Sequence, residues 1–213
     1  MMRETVERLQ RLLQDQSIRK GRFTLASGDI SNYYCDTKAT TLSPEGSFLV
    51  GELLLPIVES IGAEAVGGLA LGALFVSTPI VYASQIAGRP IYGFAVRSKQ
   101  KEHGLLESVE ESFHPSGEPL LQKDRRVVVV DDVITKGGSV IKAIQAVREK
   151  RSTVLSVVSL VDRRAGGEER LRELGLDYYP LFFTDKDGNL HTNERTYSLA
   201  RADAVRGRPA ARR

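Results

Sequence analysis

The segment at residues 127–139 constrains the fold of this chain more than any other stretch. It reads Val-Val-Val-Val-Asp-Asp-Val-Ile-Thr-Lys-Gly-Gly-Ser. Four consecutive β-branched residues are typical of a strand that is buried on both faces, as in parallel sheets. The strand, predicted over residues 127–130, leads through two acids and a Gly-rich turn to a predicted helix at 139–149. Backbone N–H groups converge on anions in such a strand–turn–helix arrangement.

Ligands of open α/β sheets bind at the carboxyl ends of the strands, so residues 131–139 are predicted to bind a phosphorylated ligand. Because carboxylates repel phosphate, Asp131 and Asp132 need a separate role, with sugar hydroxyls, a metal ion or a developing positive charge as their partner. The glycine and lysine spacing of P-loops does not occur in the sequence. An ordinary turn with incidental acids is the simpler alternative. Two acids at the end of a buried strand are costly, however, without a ligand or partner.

Composition narrows the class of protein. The chain has 213 residues, which suits one α/β domain with appendages, and its net charge is +3. This mild excess fits anionic substrates and does not favour a nucleic-acid partner. The single cysteine, Cys35, excludes an internal disulfide and is typical of a reducing compartment.

The sequence favours a cytoplasmic protein without a membrane partner. Its N-terminus is charged and has no apolar signal region. The longest apolar segment, residues 63–87, is interrupted by glycines and by Pro79, so we interpret it as strand, turn and helix.

Strands and helices alternate along the chain, which predicts a parallel sheet with helices on both faces. Pro79 is expected to kink the helix at residues 72–87 or to delay it, so that it begins properly only at residues 78–79. The five predicted core strands lie at residues 65–69, 91–96, 127–130, 154–160 and 178–183.

The predicted organisation has three parts. Residues 1–40 form an N-terminal helix and a small hood over the strand ends, residues 41–205 form the α/β core, and residues 206–213 form a disordered basic tail. Within the core, residues 98–123 are long, polar and poorly periodic. Such a segment is usually functional or disordered, and we interpret it as a flexible flap.

Four basic or titratable groups follow the strand at residues 91–96: Arg97, Lys99, Lys101 and His103. On an open loop they would simply form a solvated surface. Beside a phosphate-binding turn they would neutralise the charge that a pyrophosphate leaving group gains. A flexible loop that contains them would also close over the site and exclude water.

The segment at residues 127–139 resembles the motif with which type I phosphoribosyltransferases bind phosphoribosyl pyrophosphate (PRPP). Further segments narrow the resemblance to the orotate phosphoribosyltransferases. They are Arg-Ser-Lys-Gln-Lys-Glu-His-Gly at 97–104, Phe-Thr-Leu-Ala-Ser-Gly-Asp-Ile-Ser-Asn-Tyr-Tyr-Cys-Asp at 23–36, Gly-Gly-Leu-Ala-Leu-Gly-Ala at 67–73 and Asp-Arg at 162–163. The sequence departs from the family pattern at two positions. Many members have lysine at the position of Ser98, and some have lysine at the position of Ala26.

The resemblance implies an α/β chain with the type I phosphoribosyltransferase fold, in which helices flank a five-stranded parallel core sheet beside a small N-terminal hood. It implies transfer of the 5-phosphoribosyl group from PRPP to orotate, which gives orotidine 5′-monophosphate and pyrophosphate in pyrimidine biosynthesis. Mg²⁺ would be the cofactor, held mainly by PRPP near Asp131 and Asp132 and not directly by protein ligands. A homodimer is also implied, in which each flap closes over the site of its partner.

The same resemblance assigns roles to individual residues. Asp131 and Asp132 would bind the ribose hydroxyls and stabilise positive charge on the sugar, and Arg163 would pair with the orotate carboxylate. The implied catalytic residues are Lys101, His103, Asp131 and Asp132. The implied PRPP contacts are Arg97, Lys99, Lys101, His103, Asp131, Asp132, Val133, Ile134, Thr135, Lys136, Gly137, Gly138 and Ser139. The implied orotate contacts are Ser27, Gly28, Tyr34, Cys35, Thr135 and Arg163.

Several alternatives stay open at this stage. Asp162 could form a surface salt bridge with an arginine, and either Tyr33 or Tyr34 could belong to the hood core, since strand neighbours point in opposite directions. The base could be a purine, although Arg163 and the hood segment argue against it. A non-catalytic regulator that binds PRPP is the other alternative, for which one would expect a DNA-binding domain or a broad basic face.

Overall fold

A mostly parallel sheet forms the centre of the protein. The computed structural model describes residues 2–24, 30–98, 109–111 and 115–205. For residues 203–205 it describes the backbone alone. The strands of these residues are β1 Ile18–Thr24, β2 Ile30–Cys35, β3 Ala65–Leu69, β4 Tyr92–Val96, β5 Val109–Glu111, β6 Arg126–Ile134, β7 Thr153–Asp162, β8 Asp177–Thr184 and β9 Leu190–Thr192. Seven of them form one sheet in the order β5-β4-β3-β6-β7-β8-β9, and β1 and β2 form a separate hairpin.

Helices cover both faces of this sheet. They are α1 Met2–Ser17, α2 Lys38–Thr41, α3 Pro44–Ile61, α4 Leu74–Ile86, α5 Gly138–Glu149, α6 Gly167–Glu173 and α7 Glu194–Val205. Among the helices of the described residues, none combines the length and the apolar composition that crossing a membrane requires.

The predicted five-stranded parallel core is confirmed. Strands β4, β3, β6, β7 and β8 pair with one another in parallel. The edge strands β5 and β9 pair antiparallel with β4 and β8 and were not predicted. Each has three residues, which is too short for an alternating pattern to stand out from its surroundings.

The four valines of β6 explain how the two layers of helices are joined. Val128 and Val130 pack in the same cluster as residues of α3 and α4, whereas Val127 and Val129 pack in the cluster that contains residues of α5. Alternate side chains of one strand therefore bury apolar surface on opposite faces of the sheet, as the valine run predicts.

Strand β6 is longer than the predicted residues 127–130, because it continues in register with β7 until Ile134 lies opposite Asp162. Asp131 and Asp132 consequently lie within the strand and do not follow it. The pairing of β6 with β7 fixes the main chain around both acids, which a turn would leave less constrained.

The prediction that Pro79 delays helix α4 is wrong, since this helix runs from Leu74 to Ile86. A proline removes one backbone N–H donor from a helix. Val76 and Ile80, one on each side of Pro79, are fully buried in the core. Tertiary packing of this apolar face stabilises the helix despite the missing hydrogen bond.

The segment predicted as a flexible flap, residues 98–123, is partly core. Val109 lies opposite Val96 in the β4–β5 pair, and Leu120 and Leu121 are buried in the same cluster as Val129. The prediction therefore does not hold for these residues, because their side chains bury apolar area against the sheet. Residues 99–108 and 112–114, like the predicted tail at 206–213, lie outside the described residues.

Helix α1 and the β1–β2 hairpin occupy the part of the chain predicted as a hood. Val6, Leu9 and Leu13 of α1 are fully buried in the cluster that also contains residues of α3. The hairpin reaches the end of β8, where the Tyr33 hydroxyl lies 2.7 Å from Thr184 Oγ1. The hairpin thus contacts the carboxyl edge of the parallel strands.

Substitution of Leu120 by alanine tests whether this region is part of the folded core. Leu120 is 0% exposed, so Leu120→Ala is expected to lower the free energy of unfolding by about 2–5 kcal/mol. Leu174→Ala, at a leucine that is 36% exposed, should change it by less than about 1 kcal/mol. Urea unfolding measures both, and equal effects of the two substitutions would contradict the assignment of Leu120 to the core.

Candidate active site

Five segments of the chain meet at the carboxyl edge of the parallel sheet. Arg97 follows β4, the turn at 70–73 follows β3, residues 131–139 end β6 and begin α5, Arg163 follows β7, and Thr184 ends β8. Because the strands are parallel and adjacent, these segments lie along one edge of the sheet, which is where ligands of such sheets bind.

The two acids of β6 are partly enclosed by protein. Asp131 is 6% exposed, and its Oδ1 accepts a hydrogen bond from the Asp132 backbone N–H at 3.0 Å. Asp132 Oδ2 accepts a hydrogen bond from the Thr37 hydroxyl at 2.6 Å. Within the described part of the chain, neither carboxylate forms an ion pair with lysine or arginine. Both are therefore available to a cation or to hydroxyl donors of a ligand.

Gly72 provides the space that these carboxylates occupy. A Cβ atom at this position would lie 2.3 Å from Asp132 Oδ1 and 3.0 Å from Asp131 Oδ1. Any other residue would displace the acids, so the glycine of the turn after β3 and the acids of β6 form one unit. The peptide bond between Ala70 and Leu71 in this turn is cis.

Burial raises the pKa of Asp131 well above its ordinary value of 3.8, and the neighbouring Asp132 carboxylate raises the pKa further. The low-dielectric surroundings disfavour the charged form, and a like charge nearby acts in the same direction. A ligand that brings positive charge or hydroxyl donors to the pair would reverse both effects. The pair is thus chemically suited to a sugar whose ring gains positive charge.

The turn between β6 and α5 has a backbone geometry that can receive an anion. Gly137 is the N-cap of α5 with φ of 74°, a left-handed conformation that favours glycine, and it has no side chain to occupy the first-turn N–H groups. The positive end of the α5 helix dipole also lies at this turn. Helix α6 packs beneath the turn, where Arg170 Nη1 donates to the Lys136 carbonyl at 2.7 Å.

Arg163 faces the β1–β2 hairpin. Its backbone N–H donates to the Ile134 carbonyl at 2.9 Å, which places it beside the end of β6. Its guanidinium donates from Nη2 to Ser31 Oγ at 2.9 Å and from Nε to the Tyr33 hydroxyl at 3.2 Å. Asp162 instead accepts from the Arg164 backbone N–H. Among the described residues, no arginine side chain forms a salt bridge with Asp162, so that alternative is not found.

Some of the remaining predicted site residues lie within the described part of the chain, and the others lie outside it. The Arg97 guanidinium donates to the Glu110 carboxylate of β5, at the base of the predicted flap. Tyr34 is 41% exposed, with its ring centroid 5.7 Å from that of Phe23, while Tyr33 is the tyrosine of the hood core. The predicted site residues outside the described part of the chain are Ser27, Gly28, Lys99, Lys101 and His103.

Cys35 lies next to this region as a neutral thiol. Burial raises the pKa of its thiol to about 12, although the positive charge of Arg163 opposes the rise. A thiol with such a pKa can line a binding surface but is a poor nucleophile near neutral pH.

Sequence reasoning did not identify four residues that contact the predicted site residues. Thr37 holds Asp132, and Ser31, Tyr33 and Thr184 surround Arg163 or its hydrogen-bond partner. Thr37 and Thr184 belong to no motif, and nothing in the pattern of the sequence distinguishes them from other buried threonines. Ser31 and Tyr33 lie within the matched segment at 23–36, but the resemblance assigns the orotate contact to Tyr34 and Cys35.

The chain is similar to known proteins over most of its length. The family model described as phosphoribosyl transferase domain matches residues 69–173, from the end of β3 to the end of α6. The orotate phosphoribosyltransferase of Aquifex aeolicus is 37% identical over 179 residues, which cover 83% of this chain and 93% of the relative.

Solved structures give the same result. The orotate phosphoribosyltransferase of Mycobacterium tuberculosis, in its complex with Fe(III) dicitrate, is 36% identical with a TM-score of 0.69, over 82% of this chain and 93% of that one. The complex of the same enzyme with PRPP gives 33% identity and a TM-score of 0.66, over the same shares of the two chains.

The raised pKa of Asp131 predicts how this residue affects stability. A carboxyl group whose folded-state pKa is raised favours the folded state when protonated, and this contribution is lost as the pH rises above 3.8, its ordinary value. Asp131→Asn should therefore raise the thermal unfolding midpoint of the ligand-free protein near pH 7, and the gain should shrink toward acid pH. Calorimetry across this range measures it, with the exposed Asp15→Asn as control. A gain that grows toward acid pH would contradict the prediction.

Proposed function

Because this chain belongs to the orotate phosphoribosyltransferase family, we propose that it transfers the 5-phosphoribosyl group of PRPP to orotate. The products are orotidine 5′-monophosphate and pyrophosphate, in pyrimidine biosynthesis. One observation carries the proposal: the acid pair, the anion-binding turn and Arg163 lie together at the carboxyl edge of one parallel sheet. These three elements match the sugar, the phosphate and the carboxylate of the two substrates.

The phosphoribosyl part of PRPP binds along the end of β6. Residues 135–139 receive the 5′-phosphate through backbone N–H groups of the turn and the first turn of α5, with the Thr135 and Ser139 hydroxyls beside them. Asp131 and Asp132 receive the ribose hydroxyls. This arrangement holds the C1 carbon of the ribose in a fixed place relative to the base.

Transfer breaks the bond from C1 to the pyrophosphate oxygen and forms the bond from C1 to a ring nitrogen of orotate. Positive charge develops on the sugar between these events, and the acid pair stabilises it electrostatically. The ring nitrogen reacts as an anion, so the reaction needs no general base from the protein. Arg163 orients the base through its carboxylate, to which a guanidinium offers two parallel N–H donors.

The donor set fits Mg²⁺ held largely by the substrate. Magnesium prefers oxygen ligands, keeps several waters and is commonly bound through one or two carboxylates together with substrate phosphates. Asp131 and Asp132 can supply such carboxylates, while the described residues contain no cluster of three or more potential metal ligands. When bound, the ion would neutralise charge on the pyrophosphate.

The predicted flap contributes the remaining positive charge. Lys101 and His103, with Arg97 at the base of the loop, would neutralise the pyrophosphate as it leaves, and Lys99 would assist. Arg97 is anchored by Glu110 of the edge strand β5, so the loop starts from a fixed point next to β4. The charge that this loop adds is most valuable when closure excludes water.

An exposed apolar surface supports a homodimer with shared flaps. Five large apolar side chains on α3, α4 and the segments preceding these helices are largely exposed; they are Leu42, Phe48, Leu71, Tyr82 and Ile86. Helices α3 and α4 contact each other, and large exposed apolar groups on neighbouring elements are typical of interaction sites. A second copy of the chain in the cytoplasm is the proposed occupant.

The first test measures the loss of orotate absorbance on addition of PRPP. The wild-type protein should convert orotate in the presence of Mg²⁺ and lose activity when the metal is chelated. Lys101→Ala should reduce kcat by about 100-fold or more, because it removes a charge that stabilises the leaving group. Lys186→Ala, which removes an exposed lysine of the turn after β8, is the matched control. A wild-type protein that is inert with orotate but releases pyrophosphate with another base would overturn the proposal.

A second test addresses the shared flap. Lys101→Ala and Asp132→Asn should each be inactive alone, whereas a dimer of one copy of each would contain one site with both residues intact. Random reassociation should therefore restore about a quarter of wild-type activity. Co-refolding of equal amounts followed by the absorbance assay measures this recovery. Recovery near zero, with heterodimers demonstrated by an affinity tag on one variant, would show that each flap serves its own subunit.

A further inference from the structure

We propose that Tyr33 and Thr184 are positioning residues that fix the Arg163 guanidinium in the orientation needed to bind a pyrimidine carboxylate. The inference rests on the proposed function, because it takes Arg163 as the group that binds the base. It extends that function by assigning specificity to a chain of hydrogen bonds that begins in the hairpin and ends in β8.

The guanidinium of Arg163 is held on three sides. The Tyr33 ring lies beneath it, with 4.6 Å between the guanidinium carbon and the ring centroid. Nε donates to the Tyr33 hydroxyl at 3.2 Å, and Nη2 donates to Ser31 Oγ at 2.9 Å. One contact with the ring and two hydrogen bonds from different nitrogens fix both the plane of the guanidinium and its rotation within that plane.

The hydrogen bonds of this chain have a defined direction. A guanidinium can only donate, so the Tyr33 oxygen must accept from Nε. The Tyr33 proton is then free to be donated to Thr184 Oγ1, which lies 2.7 Å away. Both residues are buried, Tyr33 at 5% and Thr184 at 2% exposure, so their hydroxyls depend on each other and on Arg163 for partners.

These contacts determine which N–H groups remain for a ligand. A guanidinium has five N–H groups, and Nε and one N–H of Nη2 are engaged by the hairpin. The parallel pair from Nη1 and Nη2 remains, which is the end of the guanidinium opposite to Nε. A carboxylate would accordingly bind end-on to Arg163, with both of its oxygens engaged.

Fixing the arginine before the substrate arrives has two consequences. A long side chain that is already held in place loses less conformational entropy when the carboxylate binds. A base that lacks the carboxylate leaves the exposed ends of the guanidinium without an acceptor, and it is therefore bound less well. The hydroxyl of Tyr33 should thus affect the binding of orotate and not the binding of a pyrimidine without the carboxylate.

The decisive variant is Tyr33→Phe, which keeps the ring beneath Arg163 and removes only the hydroxyl. We expect the KM for orotate to rise by about 10-fold, with kcat and the KM for PRPP changed by less than about 2-fold, since the lost contact is equally present in the ground and transition states. The inhibition constant of uracil, which has no carboxylate, should stay unchanged. Thr184→Val, which removes the acceptor of the Tyr33 proton, should raise the KM for orotate by about 3-fold.

Two controls separate positioning from stability and from the proposed function. Tyr197→Phe removes the hydroxyl of another buried tyrosine, on α7, and should leave all constants unchanged. Arg163→Ala should raise the KM for orotate more than Tyr33→Phe does. An unchanged orotate KM in Tyr33→Phe, or an equal rise of the uracil constant, overturns this inference while conversion of orotate by the wild type leaves the proposed function intact. A wild type that does not convert orotate overturns both.

Discussion

Two adjacent carboxylates at the end of a buried strand are the constraint on which the rest of the site depends. Ionised groups in such surroundings are unstable unless the protein or a ligand compensates them. The protein compensates in part, with the Asp132 amide on Asp131 and the Thr37 hydroxyl on Asp132. The absence of a side chain at Gly72 gives the pair its space. The part of the negative charge that the protein does not compensate is what would bind sugar hydroxyls and positive charge in the proposed function. The cost in stability and the proposed chemistry therefore have the same origin.

The hairpin and the core meet at site residues, so the docking of the hairpin on the core also assembles the site. Thr37, just beyond the hairpin, bonds to Asp132, and Tyr33 in β2 bonds to Thr184 at the end of β8. The Tyr33 ring packs in the hydrophobic cluster that contains residues of α3, whereas its hydroxyl and the Thr37–Asp132 pair make polar contacts. Loss of these polar contacts would leave the core packing largely intact and would disturb the relation between the two substrate-binding parts.

The sequence was most informative where a local pattern was strong. The valine run predicted a strand buried on both faces, and the acids and glycines after it predicted the turn that leads into α5. It was uninformative where structure depends on distant partners. Thr37 and Asp132 are 95 residues apart, and Tyr33 and Thr184 are 151 residues apart. Such side-chain pairs leave no periodic trace. The strand pairing that extends β6 to Ile134, and the packing that keeps α4 intact at Pro79, likewise depend on neighbours that only the folded chain brings together.

The hydrogen bonds from Arg163 to Ser31 and Tyr33 connect the proposed base contact to a hairpin of two short strands, while the proposed sugar and phosphate contacts lie on the sheet and on helix α5. The two tasks are therefore modular. An exchange of residues 18–35 could alter which nucleobase is accepted without altering how the activated sugar is held. A lineage of enzymes built on this scaffold could diversify its substrates by drift in one small surface ribbon, and a protein engineer could follow the same route.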